Sequence, residues 1–186
     1  MRHVWGYSKT RFELFELQPR SLTALTPAVD IDTHVTPVGT LNRNQWRQLQ
    51  RLQGILPTWY LRWRYGSDQT YVLLAYLKEK LVHVEWLVPA EKLRSRYPFL
   101  SIGSYSLISC LTDEHCRGLG IFSSQMQCAA KAGFVRQQCL VWAASTNHPS
   151  IRAIRKAGAA GIGHFVQTKR FWGLLSHVEY EILEQS

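Results

Sequence analysis

Two glycines in the segment "LTDEHCRGLGIFSSQ", residues 111–125, have the spacing that most directly indicates chemistry. Gly118 and Gly120 are separated by one residue, follow Arg117 and precede a run with helical periodicity. Glycine lets backbone N–H groups approach an anion without a Cβ in the way, and arginine adds donors for phosphate oxygens. The segment therefore predicts a phosphate-binding turn at a helix start, although a tight turn joining a strand to a helix has the same sequence features.

Other common phosphate-binding and metal-binding motifs are missing from the sequence. It contains no G-x-x-x-x-G-K-[ST], and no G-x-G-x-x-G follows a strand, so neither a P-loop nor a dinucleotide-binding domain is supported. The "GAAGIG" of residues 158–163 follows a predicted helix and is explained as its C-terminal cap. The 4 cysteines lack C-x-x-C spacing and the 7 histidines form no H-E-x-x-H. We therefore expect no metal site, and free thiols in a reducing compartment.

Length and composition indicate one folded domain rather than a disordered or membrane-spanning chain. The chain has 186 residues, is 46% hydrophobic and contains 7 Trp, 8 Tyr and 7 Phe, enough to bury a core. Its longest apolar runs are too short to cross a bilayer, and its first 15 residues lack the apolar region of a secretory signal. We expect a soluble, cytoplasmic protein.

The net charge of +9 favours an anionic partner. A nucleic acid, an acidic protein, a membrane surface and a polyphosphate cofactor all satisfy this condition, as does a basic surface that contacts only solvent. The run "RWRYG", residues 62–66, interleaves basic and aromatic residues as nucleic-acid-binding segments do. The basic residues are nevertheless spread along the chain and no nucleic-acid-binding motif is present, so a basic nucleic-acid-binding protein is the weaker alternative.

The first third of the chain predicts few regular elements. Residues 10–17 predict a strand, whereas residues 18–40, with three prolines and five threonines, predict a long loop. A helix is predicted up to a stop at Gly54, with Thr40 or Asn42 as its N-cap. The segment 59–65 fits either a strand or a short helix. Its aromatic residues Trp59, Trp63 and Tyr65 could lie in the core or line a pocket.

From residue 70 onward the pattern predicts the order β-β-β-α-β-α-β-β. The predicted elements are a hairpin over 70–77 and 81–88, a strand over 104–112, a helix over 120–133, a strand over 138–145, a helix over 148–158, and strands over 161–168 and 177–184. A strand–helix–strand segment needs a partly parallel sheet, because parallel strands require a crossover of this length. The fold class is therefore α/β, with a mixed sheet in a three-layer arrangement.

Two segments together resemble the GNAT superfamily of acyl-CoA-dependent N-acyltransferases (N-acetyltransferases). The first resembles its pyrophosphate loop, [QR]-x-x-G-x-[GA], which falls here on Arg117, Gly118, Leu119, Gly120, Ile121 and Phe122. The second, residues 147–159, resembles the later segment N-x-x-S-[IA]-x-x-[YF]-x-K-x-G-F. The resemblance covers about 115 residues. It implies one domain over 1–186, with 1–57 as an N-terminal extension plus first helix and 58–186 as the acyl-CoA-binding core.

The resemblance implies a mostly antiparallel mixed sheet, flanked by helices, in which a central parallel strand pair is splayed. Acetyl-CoA or another acyl-CoA would lie between the strands 104–112 and 138–145, with its pyrophosphate on the backbone amides of residues 117–122. The pantetheine arm would pair with the strand edge near Leu111 and Thr112. Asn147 would contact the pantetheine or the acyl group; a helix cap is its alternative role.

The activity implied is transfer of an acyl group to a primary amine by direct attack, which requires a general base. Glu85 is the first candidate, because a carboxylate inside "VHVEWLV" is costly unless it is paired or functional. His83, two residues away on the same face, is the second; an exposed strand glutamate is the alternative for Glu85. Ile154 replaces the family's usual general-acid tyrosine and Phe122 its usual Gly or Ala.

Partners follow from the same resemblance. The donor is an acyl-CoA whose acyl length the sequence leaves open, and the acceptor is an amine of a small molecule, peptide or protein. A homodimer is compatible with the sequence. An acyl-CoA-binding module without turnover remains the second hypothesis, which the missing tyrosine favours.

Overall fold

The computed structural model describes residues 8–17, 29–134, 138–170 and 175–182. Within them are eight strands and four α-helices, and from residue 70 onward their order is β-β-β-α-β-α-β-β, as the sequence predicted. The elements are β1 Ser8–Leu17, β2 Asp32–Pro37, α1 Arg43–Gln53, α2 Ile55–Tyr65, β3 Tyr71–Leu77, β4 Lys80–Pro89, β5 Tyr105–Thr112, α3 Ile121–Lys131, β6 Cys139–Ala144, α4 His148–Lys156, β7 Ala160–Arg170 and β8 Leu175–Ile182.

Local capping chemistry determines where α1 begins and ends. Asn42 is its N-cap: its side-chain oxygen accepts from the Gln45 N–H at 2.9 Å, and its own N–H donates to Gln45 Oε1 at 2.9 Å. This reciprocal pair satisfies two N–H groups that a helix start otherwise leaves unpaired. Gly54 ends the helix with φ 92°, as its sequence position predicted.

The ambiguous segment 59–65 belongs to α2. Thr58, Leu61 and Tyr65 recur at helical spacing and are buried against the sheet. Trp59 and Trp63 face away, 61% and 67% exposed, so the prediction that they line the core or a pocket was wrong. A strand would have placed Trp59, Leu61, Trp63 and Tyr65 on one face, whereas the helix divides them.

None of the described helices is long and apolar enough to cross a membrane.

The predicted loop over 18–40 was wrong in its second half, because β2 lies there. β2 pairs antiparallel with β3, from Asp32 opposite Tyr76 to Pro37 opposite Tyr71. β3 needs a neighbour for its backbone groups, and proline is tolerated at the end of a strand on a sheet edge. Tertiary pairing therefore overrode the weak local pattern. Residues 18–28 of that prediction lie outside the described residues.

A single mixed sheet has the strand order β2-β3-β4-β5-β6-β1-β7-β8. Only the pair β5–β6 is parallel among the described strands, and it pairs over three positions, from Tyr105 opposite Cys139 to Leu107 opposite Val141. Beyond these positions the two strands diverge, which confirms the mixed sheet with a splayed parallel pair. β1 lies between β6 and β7. The sheet thus includes both parts of the chain that the sequence analysis separated at residue 57.

Helices cover both faces of the sheet, which confirms the three-layer arrangement. On one face, residues of α1 and α2 such as Leu49 and Leu61 share a buried cluster with Trp86 of β4. On the other face, Met126 of α3 and Ile154 of α4 share a cluster with Leu87. Because neighbouring strand residues point to opposite faces, β4 directs alternate side chains toward the α1–α2 layer and toward the α3–α4 layer.

Candidate active site

A cleft of about 1070 Å³ opens where β5 and β6 diverge. Its wall includes β5 from Leu107 to Thr112, β6 from Val141 to Ala144, and the turn that leads into α3. The pairing of β5 with β6 stops at Leu107, so the edge of β5 that faces the cleft beyond this residue has no strand partner within the described residues. An extended chain of a ligand can therefore pair with that edge.

The glycine turn lies at one end of this cleft, at the start of α3. Gly118 and Gly120 have φ values of 83° and 79°, a backbone region that favours glycine. Within the described part of the chain, no atom lies within 4 Å of the position that a Cβ on Gly118 would take. The first N–H groups of a helix have no intrahelical partner, so this turn presents donors to an anion. The Arg117 N–H already donates to the Glu114 carbonyl at 3.4 Å, which leaves residues 118–122 as the available donors.

The side chains of the predicted phosphate loop divide between cleft and core. Arg117 and Phe122 line the cleft, together with Ile121, which is 2% exposed. Leu119 packs instead against the small buried cluster that contains Ile121 and Cys116, so only its backbone is available to a ligand. The Phe122 ring contacts the His83 ring edge-on, with ring centroids 6.5 Å apart. The ring at this unusual position therefore joins the loop to the strand that carries the candidate base.

β5 contains a bulge that the sequence analysis missed. Val84 and Trp86 of β4 oppose Leu111 and Ile108, so Glu85 faces two residues of β5, Ser109 and Cys110. Ser109 has a φ of 52°, which is uncommon for a residue with a Cβ. A bulge bends its strand and re-aims the groups that follow, here Leu111 and Thr112, which both line the cleft. No glycine, asparagine or proline marks it, so no local signal was present.

Gln53 at the end of α1 holds this bulge in place. Its amide nitrogen donates to the Ser109 carbonyl oxygen at 3.3 Å and to the Ser109 hydroxyl at 3.2 Å. Its amide oxygen accepts from the Trp86 indole N–H at 3.2 Å. One side chain thus links the helical layer to the irregular part of the cleft wall.

His83 and Glu85, predicted to share a strand face, are in direct contact and connect to Thr112. His83 Nε2 lies 2.8 Å from Glu85 Oε1, and His83 Nδ1 lies 2.6 Å from Thr112 Oγ1. His83 and Thr112 line the cleft, whereas Glu85 is fully buried behind them. The three groups form a hydroxyl–imidazole–carboxylate chain. Such a chain can move a proton from the cleft to the imidazole, with the carboxylate orienting the ring.

Burial governs the electrostatics of this chain. It raises the pKa of Glu85, and the hydrogen bond and charge of His83 partly oppose that rise. The second carboxyl oxygen of Glu85 has no hydrogen-bond partner among the described residues. Glu85 is therefore not the exposed strand glutamate that the sequence also allowed; it is a buried acid whose ionised form depends on one histidine.

Asn147, Ile154 and Cys110 also line the cleft. Asn147 is the N-cap of α4: its side-chain oxygen accepts from the Ser150 N–H at 3.2 Å, while the residue also lines the cleft. Ile154 is 3% exposed and offers no proton. Cys110 is exposed to the cleft, yet dense protein around its thiol and the nearby Glu85 raise its pKa well above the ordinary value. The neutral thiol makes Cys110 a poor nucleophile.

No group of three or more potential metal ligands occurs among the described residues. The described residues of the cleft wall provide backbone donors, basic side chains and the chain formed by Thr112, His83 and Glu85.

Replacing Glu85 by glutamine is expected to stabilise the protein increasingly as the pH rises. The raised pKa means that wild type has its full stability below the ordinary carboxyl value of 4.5 and loses it as the pH rises through the higher folded-state value. Glutamine has no charge to bury, so its free energy of unfolding should exceed that of wild type by about 1–3 kcal/mol at pH 8 and by less at pH 5. Urea unfolding at both pH values measures the difference.

Glu79→Gln is the matched control, because Glu79 is exposed in the hairpin turn that precedes the same strand. This change should alter the free energy of unfolding by less than about 0.5 kcal/mol at either pH. A Glu85→Gln variant that is less stable than wild type at pH 8 would show that the carboxylate is net stabilising, contrary to its burial.

Comparison with known proteins identifies the fold. No protein-family model matches the sequence, and no curated protein matches it. Among solved structures, an acetyltransferase from the GNAT family from Colwellia psychrerythraea shares 15% identity at a TM-score of 0.56, over 87% of this chain and 56% of that one. A functionally unknown conserved protein from Staphylococcus epidermidis shares 14% identity at a TM-score of 0.63, over 88% of this chain and 62% of that one.

A third similar structure is a putative acetyltransferase from the GNAT family from Novosphingobium aromaticivorans. It shares 12% identity at a TM-score of 0.54, over 88% of this chain and 66% of that one. The chain therefore spans less than two thirds of the length of each of these three proteins. At such identities similarity establishes architecture: this chain has the fold of the GNAT-family acetyltransferases.

Proposed function

We propose that this chain is an N-acyltransferase, in the simplest case an N-acetyltransferase, that moves an acyl group from acyl-CoA to a primary amine in a ternary complex. The observation that carries the proposal is the cleft between β5 and β6, which joins a free strand edge to a glycine turn at a helix start. Similar structures described as GNAT acetyltransferases support the same activity class.

The described residues fit an acyl-CoA donor. A pyrophosphate would accept hydrogen bonds from the backbone N–H groups of residues 118–122, beside Arg117. The free edge of β5 at Leu111 and Thr112 would pair with the amides of pantetheine, and Asn147, which precedes α4, also lines the cleft. Within the described residues no acidic side chain lines the cleft, so nothing there repels the phosphates.

Thr112, His83 and Glu85 would remove the proton of the acceptor amine. An ammonium must lose a proton before its nitrogen can attack. The Thr112 hydroxyl would take that proton as it passes its own to His83 Nδ1. The Glu85 carboxylate, accepting from the His83 Nε2–H, would keep Nδ1 free to accept and would stabilise the resulting imidazolium. In this scheme His83 is the base and Glu85 the positioning residue.

A domain that binds acyl-CoA without turnover is the second candidate. Ile154 favours it, because an apolar, buried side chain occupies the position at which the resembled family commonly has a tyrosine that protonates the departing thiolate. The hydroxyl–imidazole–carboxylate chain favours the enzyme, since a binding module has no use for a buried proton relay.

Calorimetric titration with acetyl-CoA, free CoA and a long-chain acyl-CoA tests the proposal. We expect micromolar binding of at least one, with an affinity that falls at higher salt because phosphates are bound. The ligand that binds most tightly selects the donor for turnover assays with primary amines. Failure of all three ligands to bind would contradict the acyltransferase proposal, whereas binding without turnover of any amine would support the second candidate.

We further propose that the described elements belong to one acyltransferase domain over residues 1–186 in the cytoplasm. The sheet that carries the cleft is continuous from β2 to β8. All 4 cysteines are unpaired, as a reducing compartment would keep them.

A further inference from the structure

The charged side chains of the cleft all have the same sign. Four basic residues line it, and among the described residues that form its wall there is no aspartate or glutamate. Arg117 directly precedes the glycine turn at the start of α3, where the phosphates of the donor would bind, and Lys156 is the last residue of α4, which packs on the same face of the sheet. Arg96 and Lys169 belong to other elements, the segment after β4 and the strand β7. The phosphates of the donor account for the first pair only.

Arg96 lies on the α1–α2 face of the sheet. Its neighbour Tyr97 packs in the buried cluster of that face, with its ring centroid 5.0 Å from that of Trp142. Tyr60 and Tyr65 of α2 also line the cleft, and Tyr65 belongs to the same buried cluster as Tyr97. This layer is opposite α3 and its glycine turn. The location is therefore suited to the acceptor rather than to the phosphates.

Contacts on two sides hold the Arg96 guanidinium in place. With the Gln167 amide oriented so that its oxygen faces Arg96, this oxygen accepts from Nε and from Nη2, each at 2.9 Å. Gln167 is itself 4% exposed, and the guanidinium carbon lies 5.7 Å from the centroid of the Tyr97 ring. A guanidinium has five N–H donors, so three remain after Gln167. No ion pair within the described residues involves Arg96.

We propose that Arg96, positioned by Gln167, binds a carboxylate of the acceptor, and that the acceptor is an amino acid or another primary amine that carries a carboxylate. A half-buried guanidinium commonly pairs with an acidic side chain. Arg96 lines the cleft without an acidic partner among the described residues, and the planar geometry of its guanidinium matches a carboxylate. The absence of described acidic wall residues also disfavours polycationic acceptors, which would meet like charge. This inference rests on the acyltransferase activity proposed above.

The test compares amino acids with their own C-terminal amides. With acetyl-CoA as donor, CoA release is measured for several amino acids, their amides, spermidine and an aminoglycoside. For the best acceptor, we expect kcat/KM to fall about 10- to 100-fold when the carboxylate becomes an amide, the effect of losing one charged hydrogen-bonded contact. The amide has the less basic amine and hence more of the neutral nucleophile, so a fall cannot come from amine ionisation.

Arg96→Gln should abolish this preference. We expect kcat/KM for the amino acid to fall about 10- to 100-fold and that for the amide to change less than about threefold, with acetyl-CoA affinity preserved. Arg94→Gln is the matched control: Arg94 is exposed, two residues away and absent from the cleft wall, and the change should leave both acceptors unaffected. Thermal unfolding with and without CoA shows that each variant is folded.

The possible outcomes separate this inference from the proposed function. Absence of acetyl-CoA binding to wild type would overturn both. If the protein binds acetyl-CoA but uses amides or polyamines as well as or better than amino acids, the carboxylate inference alone is overturned. The same holds if it binds acetyl-CoA but acylates no amino acid. Equal losses for both acceptors in Arg96→Gln would also overturn it. A preference for succinyl-CoA over butyryl-CoA that Arg96→Gln removes would instead assign Arg96 to the donor, which also contradicts the inference.

Discussion

Gly120→Glu is expected to lower the affinity for acetyl-CoA at least about 100-fold, equivalent to about 2.7 kcal/mol. Gly120 has a φ of 79° and precedes the first turn of α3, where backbone N–H groups face the cleft. A glutamate there would place a side chain and a negative charge against the site proposed for the pyrophosphate. Calorimetry with acetyl-CoA on wild type and variant measures the change.

Gly133→Glu is the control for the backbone strain and charge of this substitution. Gly133 has a φ of 90° and lies just beyond the other end of α3, and no described atom lies within 4 Å of the position that its Cβ would take. Both variants should therefore lose about 1–2 kcal/mol of stability from the left-handed backbone, but only Gly120→Glu should lose acetyl-CoA. Unchanged affinity in a folded Gly120→Glu variant would show that the two glycines form only a turn.

His83→Gln is expected to lower kcat about 100- to 10,000-fold, the usual contribution of a positioned base, with little change in acetyl-CoA affinity. Glutamine keeps polar contacts with Glu85 but cannot take up a proton at neutral pH. Initial rates with a saturating amine acceptor measure the effect. A role in structure alone would reduce stability and donor affinity together, and a kcat within about threefold of wild type would exclude His83 as the base.

The pH dependence of the same variant distinguishes proton removal from positioning. At a pH above the pKa of the acceptor amine the nucleophile is already neutral, so the rate deficit of His83→Gln should become smaller there. Thr112→Val should show a similar but smaller deficit because it breaks the link at Oγ1, and Thr112→Ser should restore activity because the hydroxyl returns. A deficit that stays constant over this pH range would argue against the relay.

Local sequence patterns predicted the elements that short-range chemistry specifies. The capping pair of Asn42 and Gln45 determines where α1 begins, and the hairpin over 70–88 follows from apolar and β-branched runs on either side of a polar turn. Gly118 and Gly120 indicated a turn, and the structure gives both a positive φ. The adjacency of His83 and Glu85 followed from the two-residue period of a strand. In each case the interacting groups are close in sequence.

Features that depend on distant partners could not be predicted in this way. β1 lies between β6 and β7 because the edges of those strands need hydrogen-bonding partners, and the sequence of residues 8–17 does not say which edge it will fill. The bulge at Ser109 depends on its pairing with β4 and on Gln53, which is 56 residues away. Trp59 and Trp63 looked like core residues until the helical backbone turned them outward.

The sequence alone was therefore sufficient for the order of elements from residue 70 onward, the glycine turn, the net positive charge and the strand that carries a histidine and a glutamate. Assembly of the sheet determined how these groups contact one another. It brought the Thr112 hydroxyl to His83 Nδ1 and buried Glu85 beside His83 Nε2. It also brought Arg96 into contact with Gln167, 71 positions away along the chain. The physical reason is that hydrogen bonds and burial depend on distance in space. The separation of two residues along the chain determines their distance in space only within a turn, a helix or a hairpin.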